Sequence, residues 1–243
     1  MLSILFHSFL AGIGTLLGCI LVLIFGRPGN KLLAWMLGLA SGIMLAVIIT
    51  DLLPSSYNYS SLTIAVIGFL LGNLFLFAID FIISCLPFFK QMLQNRKGYY
   101  LKMGYLITLG IALHDLPEGI AIAAGHSAEY RLGLIIAIAI GLHNIPEGMA
   151  VAAPLKMGGI RNPYIILLIA AVSLITPLGA FLGIILVSIS PSLIGLLLAV
   201  AGGAMSYIVK SELWPESRKK HPNYAQLGAF CGIIIMLAAS LLH

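Results

Sequence analysis

The chain has 243 residues, 60% of them hydrophobic and 9% charged, with a formal net charge of +5. A soluble domain carries about 25% charged residues, so this composition excludes a water-soluble body and marks an integral membrane protein. The positive charge sits in short connections between apolar runs, where it reads as an orientation signal and not as a nucleic-acid surface.

A membrane-spanning helix needs roughly 20 mostly apolar residues. In chain order this criterion predicts helices near 2–25, 32–54, 62–86, 103–125, 131–154, 164–189, 192–213 and 225–242. Barrel-type alternation is absent, so the expected fold is an all-α membrane protein, with residues 1–243 forming a single transmembrane domain of eight helices. The first segment has no basic leader and no small-residue cleavage site, so it is expected to be a retained helix. The longest expected loops are "KQMLQNRKGYYLK" at 90–102 and "WPESRKKHPNY" at 214–224, and a short "SISPS" hinge at 188–192 separates helices six and seven. Function must then reside in the helices.

Basic residues sort by side. Arg27, Lys31, Lys90, Arg96, Lys97, Lys102, Lys156, Arg161, Lys210, Arg218, Lys219 and Lys220 fall on one side of the predicted topology, and only Arg131 falls on the other. By the positive-inside rule both termini are expected to be extracytoplasmic. Cys19, Cys85 and Cys231 have no paired spacing and are read as buried structural thiols.

Helices four and five each carry a polar island. Residues 111–125 read "IALHDLPEGIAIAAG" and residues 140–154 read "IGLHNIPEGMAVAAP". A second repeat aligns "GIMLAVIITDLLPSS" (42–56) without gaps to "GAMSYIVKSELWPES" (203–217), so that Asp51 meets Glu212. Helices two and seven run oppositely in the predicted topology, as do four and five. The expected architecture is therefore an inverted repeat, helices one to three and six to eight around a central four/five pair, with a midplane site where Pro-interrupted segments correspond.

His and Glu stand four residues apart in each island, which puts His114 with Glu118, and His143 with Glu147, on one helix face. Two imidazoles and two carboxylates converge if helices four and five pack together. Such a set suits a divalent metal of intermediate hardness, most typically Zn2+. Pro117 and Pro146 lack an N–H and are expected to break the helix, leaving the carbonyls of Leu113 and Leu142 without their usual donors beside the ligands. Asp115 and Asn144 lie about 100 degrees further around their helices. They are candidates to flank a second cation position bridged by Glu118 and Glu147, with Asp115 alternatively a proton carrier and both alternatively helix-to-helix hydrogen bonders. Ser173 and Thr176 either line the path or bond back to their own helix.

The paired "HDLPEG" and "HNIPEG" motifs, within eight predicted helices, resemble the ZIP (Zrt/Irt-like) divalent metal transporters over essentially the whole chain. The resemblance implies a metal site from His114, Glu118, His143 and Glu147 with Met44 as a soft fifth ligand, and a neighbouring site from Asp115 and Asn144. It further implies an outer entry role for Asp51, an inner exit position for Glu212, and a homodimer. Two departures stand out. Asp115 replaces the usual asparagine, and Thr176 replaces a glutamate that many members carry before "PLGA", which weighs against a stable binuclear centre.

The implied function is uptake of a divalent transition metal into the cytoplasm, most simply Zn2+, with Cd2+, Fe2+, Mn2+ and Co2+ as further candidates. No cofactor and no enzyme activity are expected, and the expected setting is a bacterial plasma (inner) membrane. The rival readings are an intramembrane metallohydrolase, in which a metal activates water, and a structural bundle with a stabilising metal.

Overall fold

The computed structural model of the chain describes residues 1–26, 28–86, 94–186 and 190–240. Arg27, Lys90, the first residues of the expected 90–102 loop, part of the "SISPS" hinge, the last residues of the sixth and eighth expected spans and His243 lie outside the described residues.

Among the described residues eight helices follow in order: α1 Leu2–Phe25, α2 Asn30–Tyr59, α3 Leu62–Cys85, α4 Arg96–Ala128, α5 Tyr130–Met157, α6 in two segments Asn162–Ser173 and Ile175–Leu186, α7 Pro191–Lys220, and α8 Pro222–Ser240. There is no strand among the described residues. The first seven are long and apolar enough to cross a membrane, whereas the apolar stretch of α8, Pro222–Ala238, is shorter.

Local chemistry explains several boundaries. The Ser61 side chain accepts the Ile64 N–H (3.3 Å), Asn95 that of Gly98 (2.8 Å) and Ser190 that of Leu193 (3.4 Å), each satisfying an orphan donor at a helix start. Helix α1 stops at Gly26, whose φ of 77° is open to glycine at no steric cost.

Three helices outrun a sequence-based bound by at least about five residues. Residues 96–102 and 214–220, expected in loops, are helical and form the first turns of α4 and the last turns of α7. Hydropathy registers only the part of a helix that sits in hydrocarbon. The hydrogen-bond ladder continues past it, here through Lys-, Arg- and Tyr-rich turns. Likewise α2 runs to Tyr59 and not to residue 54.

The prolines act differently from expectation. Neither Pro117 nor Pro146 ends its helix, and α4 and α5 pass through both. Each removes one donor without a break in the helix. A break does occur in α6 at Leu174, directly after Ser173, the residue whose carbonyl the ring of Pro177 crowds. Pro54 and Pro215 each follow a five-residue π-helical segment, Ile48–Leu52 in α2 and Val209–Leu213 in α7. A wider turn is one way to relieve the clash between a proline ring and the carbonyl four residues earlier.

Close backbone approaches assemble the bundle. A Cβ on Gly148 would stand 1.9 Å from the Thr15 carbonyl oxygen, and one on Gly119 would stand 2.0 Å from that of Thr176, so α1 lies against α5 as α6 lies against α4. Gly42 meets Ala229 of α8 at 2.1 Å as Gly203 meets Phe69 of α3 at 2.0 Å. Small residues permit such contact where lipid supplies no hydrophobic drive between helices. The best apolar stretch of α4 is 72% buried and that of α3 only 22%, which puts α4 at the centre and α3 at the periphery.

One expectation fails at the cysteines. Cys19 is buried, but Cys231 is half-buried and Cys85 exposed, and all three are free thiols. Cys85 is the last residue of α3, the most lipid-facing of these helices, so its apolar neighbours in sequence do not enclose it.

Candidate metal centre

The two islands meet at the centre of the bundle. His114 Nδ1 is 3.1 Å from Glu118 Oε1, one helical turn along α4, as the four-residue spacing requires. The other contacts cross between helices. His143 Nε2 lies 2.9 Å from Glu118 Oε1, and His114 Nε2 lies 3.0 Å from Glu147 Oε2. The result is a ladder, Glu147–His114–Glu118–His143, in which each helix's imidazole reaches the other helix's carboxylate.

Only the His143–Glu118 contact has hydrogen-bond alignment. Both nitrogens of His114, both oxygens of Asp115 and Glu147, Glu118 Oε2, His143 Nδ1 and Asn144 Oδ1 are buried without an aligned partner. Buried polar atoms are nearly always hydrogen-bonded, and leaving one unpaired costs on the order of 1–3 kcal/mol. A buried cluster of His, Asp and Glu atoms of this kind fits an intramembrane metal site. Ligand atoms of His114, Asp115 and Glu118 lie within 4.8 Å of one another. Asp115 therefore stands nearer the ladder than its position around the helix suggests, with Oδ1 3.7 Å from His114 Nδ1.

Asn144 takes part in helix packing, as one of the sequence alternatives held. Its amide donates to the Ala11 carbonyl of α1 (3.1 Å), leaving its oxygen free. Ser173 and Thr176 are buried, and their hydroxyls have no hydrogen-bond partner, so back-bonding to their own helix is not what they do. Met44 is buried in the main apolar core on α2.

A cavity of ≈ 260 Å³ is lined by Asp51 and Ser55 of α2 and by Leu132 and Ile136 of α5, and it reaches His143 and Glu118. Glu118 and His143 are 3% and 5% exposed, while His114, Asp115, Asn144 and Glu147 are fully enclosed, so the ladder is met from the Glu118–His143 end. On the opposite side Tyr100, Met103, Leu106 and Ile107 of α4 are buried in the core. There Lys102 pairs with Asp80 of α3, the Tyr207 hydroxyl of α7 donates to the same carboxylate (2.5 Å), and Lys102 Nζ is 4.0 Å from Glu212. Lys102 precedes Glu118 by sixteen residues, about 24 Å along a helix. Asp51 and Glu212 thus belong to opposite ends of the molecule.

Against this geometry stand two comparisons. The family model of the ZIP Zinc transporter matches residues 92–240, which include both islands. The chain is also 34% identical over 238 residues to the Zinc transporter ZupT of Enterobacter sp. (strain 638), covering 94% of this chain and 92% of that protein. The chain belongs to the ZIP zinc transporter family. Zinc transporters ZupT of Salmonella heidelberg (strain SL476), 33% identical with 97% and 95% coverage, and of Escherichia coli O7:K1 (strain IAI39 / ExPEC), 33% identical with 94% and 92% coverage, are similar to this ZIP chain along almost its whole length.

Sequence reasoning passed over Thr15. Its hydroxyl is buried and unpartnered like that of Thr176, and its carbonyl faces Gly148 as that of Thr176 faces Gly119. The signal was available: "GTLLG" (14–18) and "ITPLG" (175–179) share Thr, Leu and Gly at the same steps. It was too short to stand out among small-residue helices. That Lys102 is the cation beside Asp80, and that Tyr207 joins the pair, had no local signal, because the three residues come from three helices.

Proposed function

We propose that the chain carries a divalent transition metal, foremost Zn2+, into the cytoplasm, and that His114, Glu118, His143 and Glu147 are its central ligands. The observation that carries this reading is the crossed ladder of unpaired lone pairs at the foot of a cavity that reaches Glu118 and His143. Neutral imidazole and carboxylate together match borderline divalent ions, and two carboxylates offset the charge of one such ion. A transporter and not an enzyme is the consistent reading for a ZIP member whose curated relatives are named zinc transporters.

Finer features belong to the same proposal. Eight spans form an inverted repeat, a reading supported by the matched π-helical segments of α2 and α7 and by the Thr15–Gly148 and Thr176–Gly119 contacts. Basic side chains gather where α2, α4, α7 and α8 meet, with Lys31 over Tyr224 (5.6 Å) and Lys219 over Tyr99 (5.7 Å). By the positive-inside rule that end faces the cytoplasm, both termini face outward, and Asp51 stands on the entry side with Glu212 toward the exit. The cavity then corresponds to an outward-facing state, closed on the inner side around Lys102. Met44 adds a soft contact. Asp115 and Asn144 Oδ1, with the buried and unpartnered hydroxyls of Thr15, Thr176 and Ser173, supply oxygen donors for a weaker neighbouring position. Cd2+, Fe2+, Mn2+ and Co2+ are secondary cargoes, a bacterial inner membrane is the setting, and a homodimer is the assembly implied by the resemblance.

The test is Zn2+ entry into sealed proteoliposomes holding a metal-sensitive dye. Wild type is expected to give saturable entry that Glu118→Gln and Glu147→Gln each reduce by more than tenfold while the protein stays monodisperse. Folded wild type that binds Zn2+ without passing it would favour the structural-bundle reading. Turnover of a lipid or peptide by the metal-loaded protein would favour the hydrolase.

A further inference from the structure

Of the six histidines in the chain, two stand in the ladder and two others meet at the outer end of the bundle. His7 of α1 and His126 of α4 bring Nδ1 and Nε2 to 3.0 Å. Their rings stack, with centroids 5.1 Å apart and planes 19° from parallel. Tyr130, the first residue of α5, closes a third side, its ring centroid 5.3 Å from that of His126 and 5.9 Å from that of His7. Gly133 lets the α5 backbone fit against His126, since a Cβ there would fall 2.3 Å from the ring. The simplest account is one neutral hydrogen bond between imidazoles. Such a bond needs one ring to donate and the other to accept, and a cation can take the place of the shared proton.

The spacing fits that exchange. Two nitrogens bound to one tetrahedral Zn2+ at about 2.0–2.1 Å lie about 3.3 Å apart, so a slight rotation of either ring opens the observed pair to the required bite. A cavity of ≈ 130 Å³ runs from His7 past Leu134 and Ala137 to Gly141, giving the His7 ring room to turn. Both rings are half-buried and reachable from outside the bundle.

We propose that His7 and His126 form a second, separate Zn2+ site at the rim, for a borderline divalent cation held by two imidazoles with water in the remaining positions. His126 follows Glu118 by eight residues, about 12 Å along α4, so the two sites share no ligand. Two neutral ligands hold the ion weakly and release it readily, as a capture site requires. Binding at the pair is independent of the transport reading, and only its role in capture rests on that reading.

The test is equilibrium Zn2+ binding to the full chain in detergent, with the ladder disabled by Glu118→Gln together with Glu147→Gln. One weak Zn2+ per chain is expected to remain. Adding His7→Gln or His126→Gln is expected to weaken it at least tenfold, equally for either substitution. Residual binding that ignores both histidine variants, or no residual binding at all, overturns the proposal. A measurement on unmutated protein guards against misfolding: Zn2+ should protect His7 and His126 from diethylpyrocarbonate, read by peptide mass spectrometry, and full modification at saturating Zn2+ also overturns it. Failure of Zn2+ flux in proteoliposomes with this protection intact would defeat the transport reading and leave the rim site standing.

Discussion

Asp51 and Glu212 occupy the fourth position of two five-residue π-helical segments, Ile48–Leu52 and Val209–Leu213, each followed one residue later by a proline. Their surroundings differ. Asp51 lines the cavity that reaches the ladder, whereas Glu212 is 4% exposed and lies 4.0 Å from Lys102. The same backbone device thus serves an open end and a closed end, and the closed end is held by a cation of the protein itself.

Lys102 is therefore expected to stabilise the closed side through Asp80. Lys102→Met leaves a largely buried carboxylate without its counter-charge and should destabilise the protein by about 3 kcal/mol, the order measured when one partner of a buried pair is removed. Adding Asp80→Asn should recover more than half of that loss. Thermal unfolding of both single variants and the double variant measures the coupling, and simple additivity would mean that the pair contributes nothing.

Overpacking at the helix crossings gives a sharper contrast. Gly148→Leu and Gly119→Leu each place a side chain where a carbonyl oxygen of α1 or α6 stands about 2 Å from the Cβ position. Each should lower stability by at least about 1–3 kcal/mol and separate the ladder partners, reducing Zn2+ affinity as well. Gly29→Ser, at the start of α2 with nothing within 4 Å, should leave both unchanged. Equal behaviour of all three variants in a thermal shift assay would contradict the packing account.

Protons and metal compete for the same lone pairs. Zn2+ needs neutral imidazole and ionised carboxylate, so each bound proton that must leave weakens apparent affinity by about tenfold per pH unit below its titration range. Affinity should fall as pH drops from 8 to 5, with the slope growing as more of the ligand groups become protonated. Isothermal Zn2+ titrations across that range check it, and a flat profile would remove His114 and His143 from the ligand set.

A thioether distinguishes soft ions from hard ones. Met44→Ala should weaken Cd2+ binding by more than it weakens Mn2+ binding, because sulfur favours the softer ion. Competition of each ion against Zn2+ in wild type and variant reads the difference, and parallel losses would assign Met44 to packing alone.

Much of this protein was legible before any coordinates. Composition and hydropathy determine that the chain lives in a bilayer, because too few charges remain to hydrate it. The spans follow from the length of apolar runs. His114 with Glu118 share a face because four residues make about one helical turn, and the duplicated islands declare a metal-like donor set without reference to the fold.

What the sequence left open was every relationship between helices. That His114 reaches Glu147, and His143 reaches Glu118, depends on the height and rotation of α5 against α4. The two helices approach closely at Gly104 with Leu155 and at Gly125 with Gly133, contacts that no local pattern announces. The helical ends at 96–102 and 214–220 were hidden because their polar turns lie beyond the hydropathy signal. Which basic residue Asp80 takes as its partner, and that His7 meets His126, were hidden because ion pairs and ring contacts between helices leave no periodicity in sequence. Local spacing determines which groups one helix presents, and only the packing of helices decides which groups they meet.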